Sequence, residues 1–161
     1  MKLSYQKEID GLRALSVLAV VVYHAEIELF GKSLFRGGFI GVDVFFVISG
    51  YLVFSLLLID LQNNCFSLSS FIHRRFLRIF PALSFMTLLC CPFAYLYLLP
   101  EDLKSFSESA VASSFIFSNF YFLAETTSYG ATESLLLPLL HTWSLGVEFQ
   151  FYLVSALFML L

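Results

Sequence analysis

Five stretches of the chain are almost free of charge: about 12–30, 39–59, 79–99, 107–124, and a run from near Leu145 to Leu161. From Ile79 to Leu99 no residue is charged, and from Phe39 to Ile59 only Asp43 is. Each of these reaches the ~20 residues that a helix needs to cross a hydrocarbon core. Helices are the expected form, because an open strand in lipid leaves its backbone groups unpaired. The fourth stretch is short, its densest part running only from Ser109 to Ala124. It predicts either a tilted span or a re-entrant piece, which leaves the side of the 125–143 loop open. Polar breakers separate the runs. They are Gly31, Gly37 and Gly38, then a loop from Asn63 and Asn64 to His73, Arg74, Arg75 and Arg78, then Pro100, Glu101, Asp102 and Lys104. The pattern predicts an all-α, polytopic transmembrane helix bundle of four to five spans over residues 1–161, without internal repeats.

Composition agrees. Hydrophobic residues make up 59% and charged ones 13%, against roughly 45–50% and about 25% in a soluble domain. A soluble fold of this size would lack the polar side chains to cover its surface. The net charge of −3 carries no basic cluster of the kind a nucleic acid requires. Cys65, Cys90 and Cys91 have neither metal-ligand nor disulfide-framework spacing. The first run holds Arg13 and His24 and ends in Glu26 and Glu28, so it reads as a retained span and not a cleaved signal. Lys2, Lys7, Arg13, Arg74, Arg75 and Arg78 fall on one side, and Lys32, Arg36 and Lys104 on the other. The excess predicts a cytoplasmic N-terminus. The last six residues, Ala156 to Leu161, have no polar flank, which suggests an incomplete polypeptide.

Ionisable groups inside spans are costly and mark candidate sites. Arg13 and His24 are eleven residues apart, about three helical turns, so they share a face and lie about 16 Å apart along the axis. They could line one transverse cavity. Alternatively Arg13 snorkels to lipid phosphates and His24 makes an interhelical hydrogen bond. With the turn at residues 31–37, Asp43 comes to nearly the depth of His24 and could orient its imidazole; it could equally pair with Arg36. Arg75 and Arg78 would share one side of a helix start, where guanidinium forks suit phosphates, although the positive-inside rule alone accounts for their charge. His141 and Trp143 precede Glu148 where the fifth run begins. Glu148 is then interfacial or a buried acid, and Trp143 has an equal role as an interface anchor.

Several blocks together resemble the acyltransferase-3 family, the bacterial O-antigen acetylase type. They are Glu8 to Ala14; His24 at an Arg-x10-His spacing; Gly38 to Tyr51; Arg74 to Pro81; and Pro138 to Leu145 with Glu148, Gln150, Phe151 and Tyr152. The resemblance covers nearly the whole chain. It implies a bundle of about ten spans in the bacterial cytoplasmic (inner) membrane, of which this chain is the N-terminal part. The activity implied is transfer of an acetyl or similar group from a cytoplasmic acyl-CoA to a sugar hydroxyl of an envelope glycan, lipopolysaccharide O-antigen or peptidoglycan. Acetyl-CoA is then a donor substrate, with no bound cofactor and no metal. Arg13 and His24 match the family's essential pair, and Arg75 and Arg78 its cytoplasmic arginine motif. Where the family usually carries a second glutamate after Glu148, this chain has Phe149.

The expected mechanism gives His24 the acceptor proton, or briefly the acyl group, with Asp43 or Glu148 as its partner. Arg13, Arg75 and Arg78 hold donor phosphates, and His141 and Trp143 lie toward the acceptor. The expected partners are the bilayer, acyl-CoA, the glycan and a C-terminal half encoded separately. Two other readings are a transporter or flippase component with an intramembrane proton or anion path, and an inactive truncated remnant.

Overall fold

The computed structural model describes residues 7–29, 32–33, 35–127 and 137–160. Lys2, Gly31, Leu161 and the middle of the 125–143 loop lie outside them. The chain divides into two compact units, residues 1–66 and 67–161. The described residues are almost wholly helical, with one two-residue ladder.

The first unit is a helical hairpin. Helix α1 spans Lys7–His24, with Glu8 and Asp10 in its first turn, where the helix dipole favours negative charge. It stops short of the predicted 12–30 run. The chain turns at Ala25 and Glu26, with Glu26 in the left-handed region (φ 47°). Strands β1 (Glu28–Leu29) and β2 (Lys32–Ser33) then pair antiparallel, Glu28 facing Ser33. Helix α2 spans Ile40–Gln62.

Two glycines set how closely α1 and α2 approach. A Cβ on Gly38 would lie 2.3 Å from the Ala19 carbonyl oxygen, and one on Gly41 would lie 2.4 Å from that of Ser16. No larger residue fits at either point. Small residues that let backbones meet are the usual device where helices pack in lipid. Gly38, expected as a loop breaker, is therefore a packing residue. Ser16 is buried in this interface, and its hydroxyl donates to the Leu12 carbonyl of its own helix at 2.8 Å.

The second unit begins with α3, Leu68–Tyr97, whose start is capped by the Ser67 hydroxyl accepting from the Ser70 amide. The helix thus begins well before the predicted span, and His73, Arg74, Arg75 and Arg78 lie on it, not in a loop. Pro81 and Pro92 sit within it, as lipid-embedded helices tolerate. Helix α4 spans Pro100–Ser114, with proline at its first position and Glu101 and Asp102 beside it. Helix α5 spans Ser118–Thr127, a 3-10 turn covers Leu140–Thr142, and α6 spans Trp143–Phe158.

The predicted 107–124 segment is thus not one helix. It breaks at Phe115–Phe117, where Ile116 takes a left-handed conformation (φ 62°) and donates its amide to the Ser113 carbonyl at 2.9 Å. The chain reverses there: the Tyr121 hydroxyl of α5 donates to the Ser105 carbonyl of α4 at 3.1 Å. At ~1.5 Å per residue the two arms measure about 22 and 15 Å, short of the ~30 Å core. The segment is a helical hairpin and not one tilted helix. Its open end meets the end of α3 and the approach to α6 in one buried cluster of Ala94, Phe106, Phe122, Leu137 and Leu139. Further along, α6 runs back beside the start of α3.

Among the described residues two helices, α2 and α3, are long and apolar enough to cross a membrane. Only 22% and 17% of their most apolar windows are buried within the chain, unlike the core helix of a soluble fold. Val47 is 72% exposed and Phe85 70%. Apolar surface on that scale demands a nonaqueous neighbour.

Candidate functional site

In the second unit, α3 and α6 bring together two of the predicted residues. Glu148 is buried, 6% exposed, in the second turn of α6. One turn later Tyr152, also buried, donates its hydroxyl to the Glu148 carboxylate. The guanidinium of Arg75 lies over the Tyr152 ring at 5.6 Å and over the Phe71 ring at 5.4 Å. Both distances are within the range of a cation–π contact. Its Nε is buried without a hydrogen-bond partner. The half-buried guanidinium thus keeps an unmet Nε donor beside the carboxylate–phenol pair, and leaving such a donor unmet costs about 1–3 kcal/mol.

Three other predicted residues belong to this unit. Arg78 is exposed, one turn along α3 from Arg75. His141 is exposed in the 3-10 turn. Trp143 lines a cavity of about 240 Å³ with Asn119, Phe122, Leu123, Thr126 and Leu140. Phe149, where a second glutamate was expected, packs edge-on against Phe76 at 6.4 Å. That position supplies an apolar contact between α3 and α6.

In the first unit, Arg13 lies over the Phe45 ring at 5.0 Å, joining α1 to α2. His24 is exposed at the last residue of α1, its ring edge-on to Tyr23 at 4.9 Å. Asp43 is exposed in the first turn of α2. Gly38 faces Ala19 and Tyr23, Gly41 faces Ser16 and Val20, and Phe45 faces Arg13. This register puts Asp43 opposite Ser16, eight residues or about 12 Å down the helix from His24. The expected match in depth is not made. The turn centres near residue 29, not 34, because the glycines dock α2 further along.

Residues 6–161 match the acyltransferase domain family, acyltransferase-3. The chain belongs to this family. It is 42% identical over 157 residues to the peptidoglycan O-acetyltransferase OatA of Listeria monocytogenes, covering 97% of this chain and 24% of that protein. It is 36% identical over 154 residues to the O-acetyltransferase OatA of Staphylococcus aureus strain NCTC 8325, covering 95% of this chain and 24% of that protein. The chain therefore spans about a quarter of the length of these relatives. No solved structure matches it. For a member of this family, the residue that sequence reasoning underused is Tyr152. It stood at i+4 from Glu148, where helical side chains meet, and that spacing was the available signal. Asn119 carried no signal of its own.

Proposed function

We propose that this chain forms part of a membrane-bound O-acetyltransferase, which moves an acyl group from a cytoplasmic acyl-CoA to a sugar hydroxyl of an envelope glycan. The carrying observation is Arg75, with a buried, unused donor, set over the Tyr152–Glu148 pair. A site able to hold an anion at the start of α3 suits the phosphates of a nucleotide-bearing donor. Among acceptors, peptidoglycan is favoured over lipopolysaccharide O-antigen because one relative is named for peptidoglycan.

In the transfer, the acceptor hydroxyl gives up its proton as its oxygen attacks the thioester carbon. The C–O bond forms, the C–S bond breaks, and the coenzyme A thiolate takes up a proton. His24 is the group suited to accept the first proton, since a neutral imidazole carries a ring nitrogen that can take one. On α3, Arg75 and Arg78 hold the donor phosphates, with the Arg75 guanidinium set against the Tyr152–Glu148 pair. His141 and Trp143 lie toward the acceptor. This assignment places the protein in the bacterial cytoplasmic membrane with the N-terminus and the start of α3 inside.

The test uses membrane vesicles carrying the full-length protein and acetyl-CoA labelled in the acetyl group. Label appearing in isolated envelope glycan supports the reading. Label that stays out of glycan, with protein-dependent uptake of protons or anions instead, would support a transporter and overturn it.

A further inference from the structure

Helix α6 has two working faces. Glu148 and Tyr152 are four residues apart, as are Gly146 and Gln150, and the two pairs lie about 200° apart around the helix at ~100° per residue. The first pair faces Arg75 and Phe71 on α3. The second faces the α4–α5 hairpin. Asn119 Nδ2 donates to Gln150 Oε1 at 2.9 Å, and Gln150 Nε2 donates back to Asn119 Oδ1 at 3.0 Å. Gln150 Nε2 also donates to the Ile116 carbonyl at 3.2 Å. That oxygen belongs to the left-handed apex residue. A β-branched side chain there costs of order 1–3 kcal/mol and persists only where the surroundings fix it.

Beside this pair, a Cβ on Gly146 would lie 2.9 Å from Asn119 Oδ1. The helices therefore meet closely where the amides lock. Unpaired, each amide would be expensive in a poorly hydrated interior. Paired, the two tie the hairpin to one face of α6, and the bond from Gln150 Nε2 to the Ile116 carbonyl fixes which way round the amides sit.

We propose that Asn119 and Gln150 are positioning residues for acyl transfer. The amide pair holds the hairpin apex against one face of α6, and so keeps Glu148 and Tyr152 on the opposite face turned to Arg75. The proposal rests on the functional reading above for its activity readout, and on the helix geometry for its structural one.

The experiment uses the full-length protein in membranes, in two series. In the first, native cysteines including Cys65, Cys90 and Cys91 are changed to serine. Phe76→Cys and Phe149→Cys then report the α3–α6 contact with a short thiol cross-linker. Gln150→Leu and Asn119→Leu should each lower the cross-link to background. The exchange Asn119→Gln/Gln150→Asn keeps the combined side-chain length and should restore most of it. In the second series, acyl transfer is measured without the added cysteines. Either leucine variant should raise KM for the acyl donor by about 10²-fold, the loss typical of a small misplacement in a preorganised site. The effect on kcat should be much smaller, and the exchange should recover KM. Cross-linking unaffected by Gln150→Leu, or not recovered by the exchange, overturns the proposal. Wild-type protein that transfers no acyl group overturns the functional reading, while the cross-link still decides the clamp.

Discussion

The two units solve the same problem by opposite means. In the first, α1 and α2 associate through bare backbone at Gly38 and Gly41, and Arg13 adds one contact to an aromatic ring. In the second, the helices are tied by buried polar groups. The Ser113 hydroxyl donates to Thr142 Oγ1 at 2.8 Å, since the Thr142 proton already goes to the Leu139 carbonyl. Ser118 donates to the Thr142 carbonyl at 2.8 Å, and the half-buried Asn119–Gln150 amide pair joins α5 to α6. Close backbone contact is insensitive to polarity but intolerant of volume. A polar network is the reverse, tolerating volume changes at its edges but not the loss of a partner. The contrast says which kind of substitution each unit will resist.

The largest effect is expected at Arg75. Arg75→Leu removes a half-buried cation from beside a buried carboxylate, and truncating one member of such a pair costs about 2–5 kcal/mol. Donor KM should rise by about 10²-fold, whereas Arg78→Leu, at an exposed position, should do much less; steady-state kinetics with varied acyl-CoA separate them. Next is Tyr152→Phe, which strips the Glu148 carboxylate of its donor. It should cost about 1–3 kcal/mol in thermal unfolding in detergent. Gly41→Val should cost a similar 1–3 kcal/mol through overpacking. Gly11, whose Cβ would meet nothing within 4 Å, should accept Ala with no loss or a gain of up to about 1 kcal/mol. If both glycines respond alike, close packing does not hold the first unit. The smallest loss is expected for Ser118→Ala, one hydrogen bond worth about 1 kcal/mol.

Much of this architecture was legible in the residues. The uncharged runs gave α2 and α3, and of the ionisable residues singled out along the chain Arg75 and Glu148 are brought to one aromatic residue, Tyr152. The break at Phe115–Phe117 was not legible, because three apolar residues carry the pattern through it and no glycine or proline marks the turn. The left-handed residue there is Ile116, held in place by Gln150, a partner 34 residues away. The start of α3 was misplaced for a related reason. Its first turns are polar and charged, so hydropathy excluded them although Ser67 was a readable cap. The depth of Asp43 depended on where two glycines dock, a tertiary fact that spacing alone does not contain.

The central claim is that a positioned imidazole drives acyl transfer in this protein. It is tested most directly by His24→Ala in the full-length protein, with membrane insertion checked by extraction and protease protection. The account predicts unaltered insertion and a loss of labelled acetyl transfer to glycan of at least about 10²-fold, the lower end for a lost general base. Transfer persisting at the wild-type rate in correctly inserted protein would contradict it.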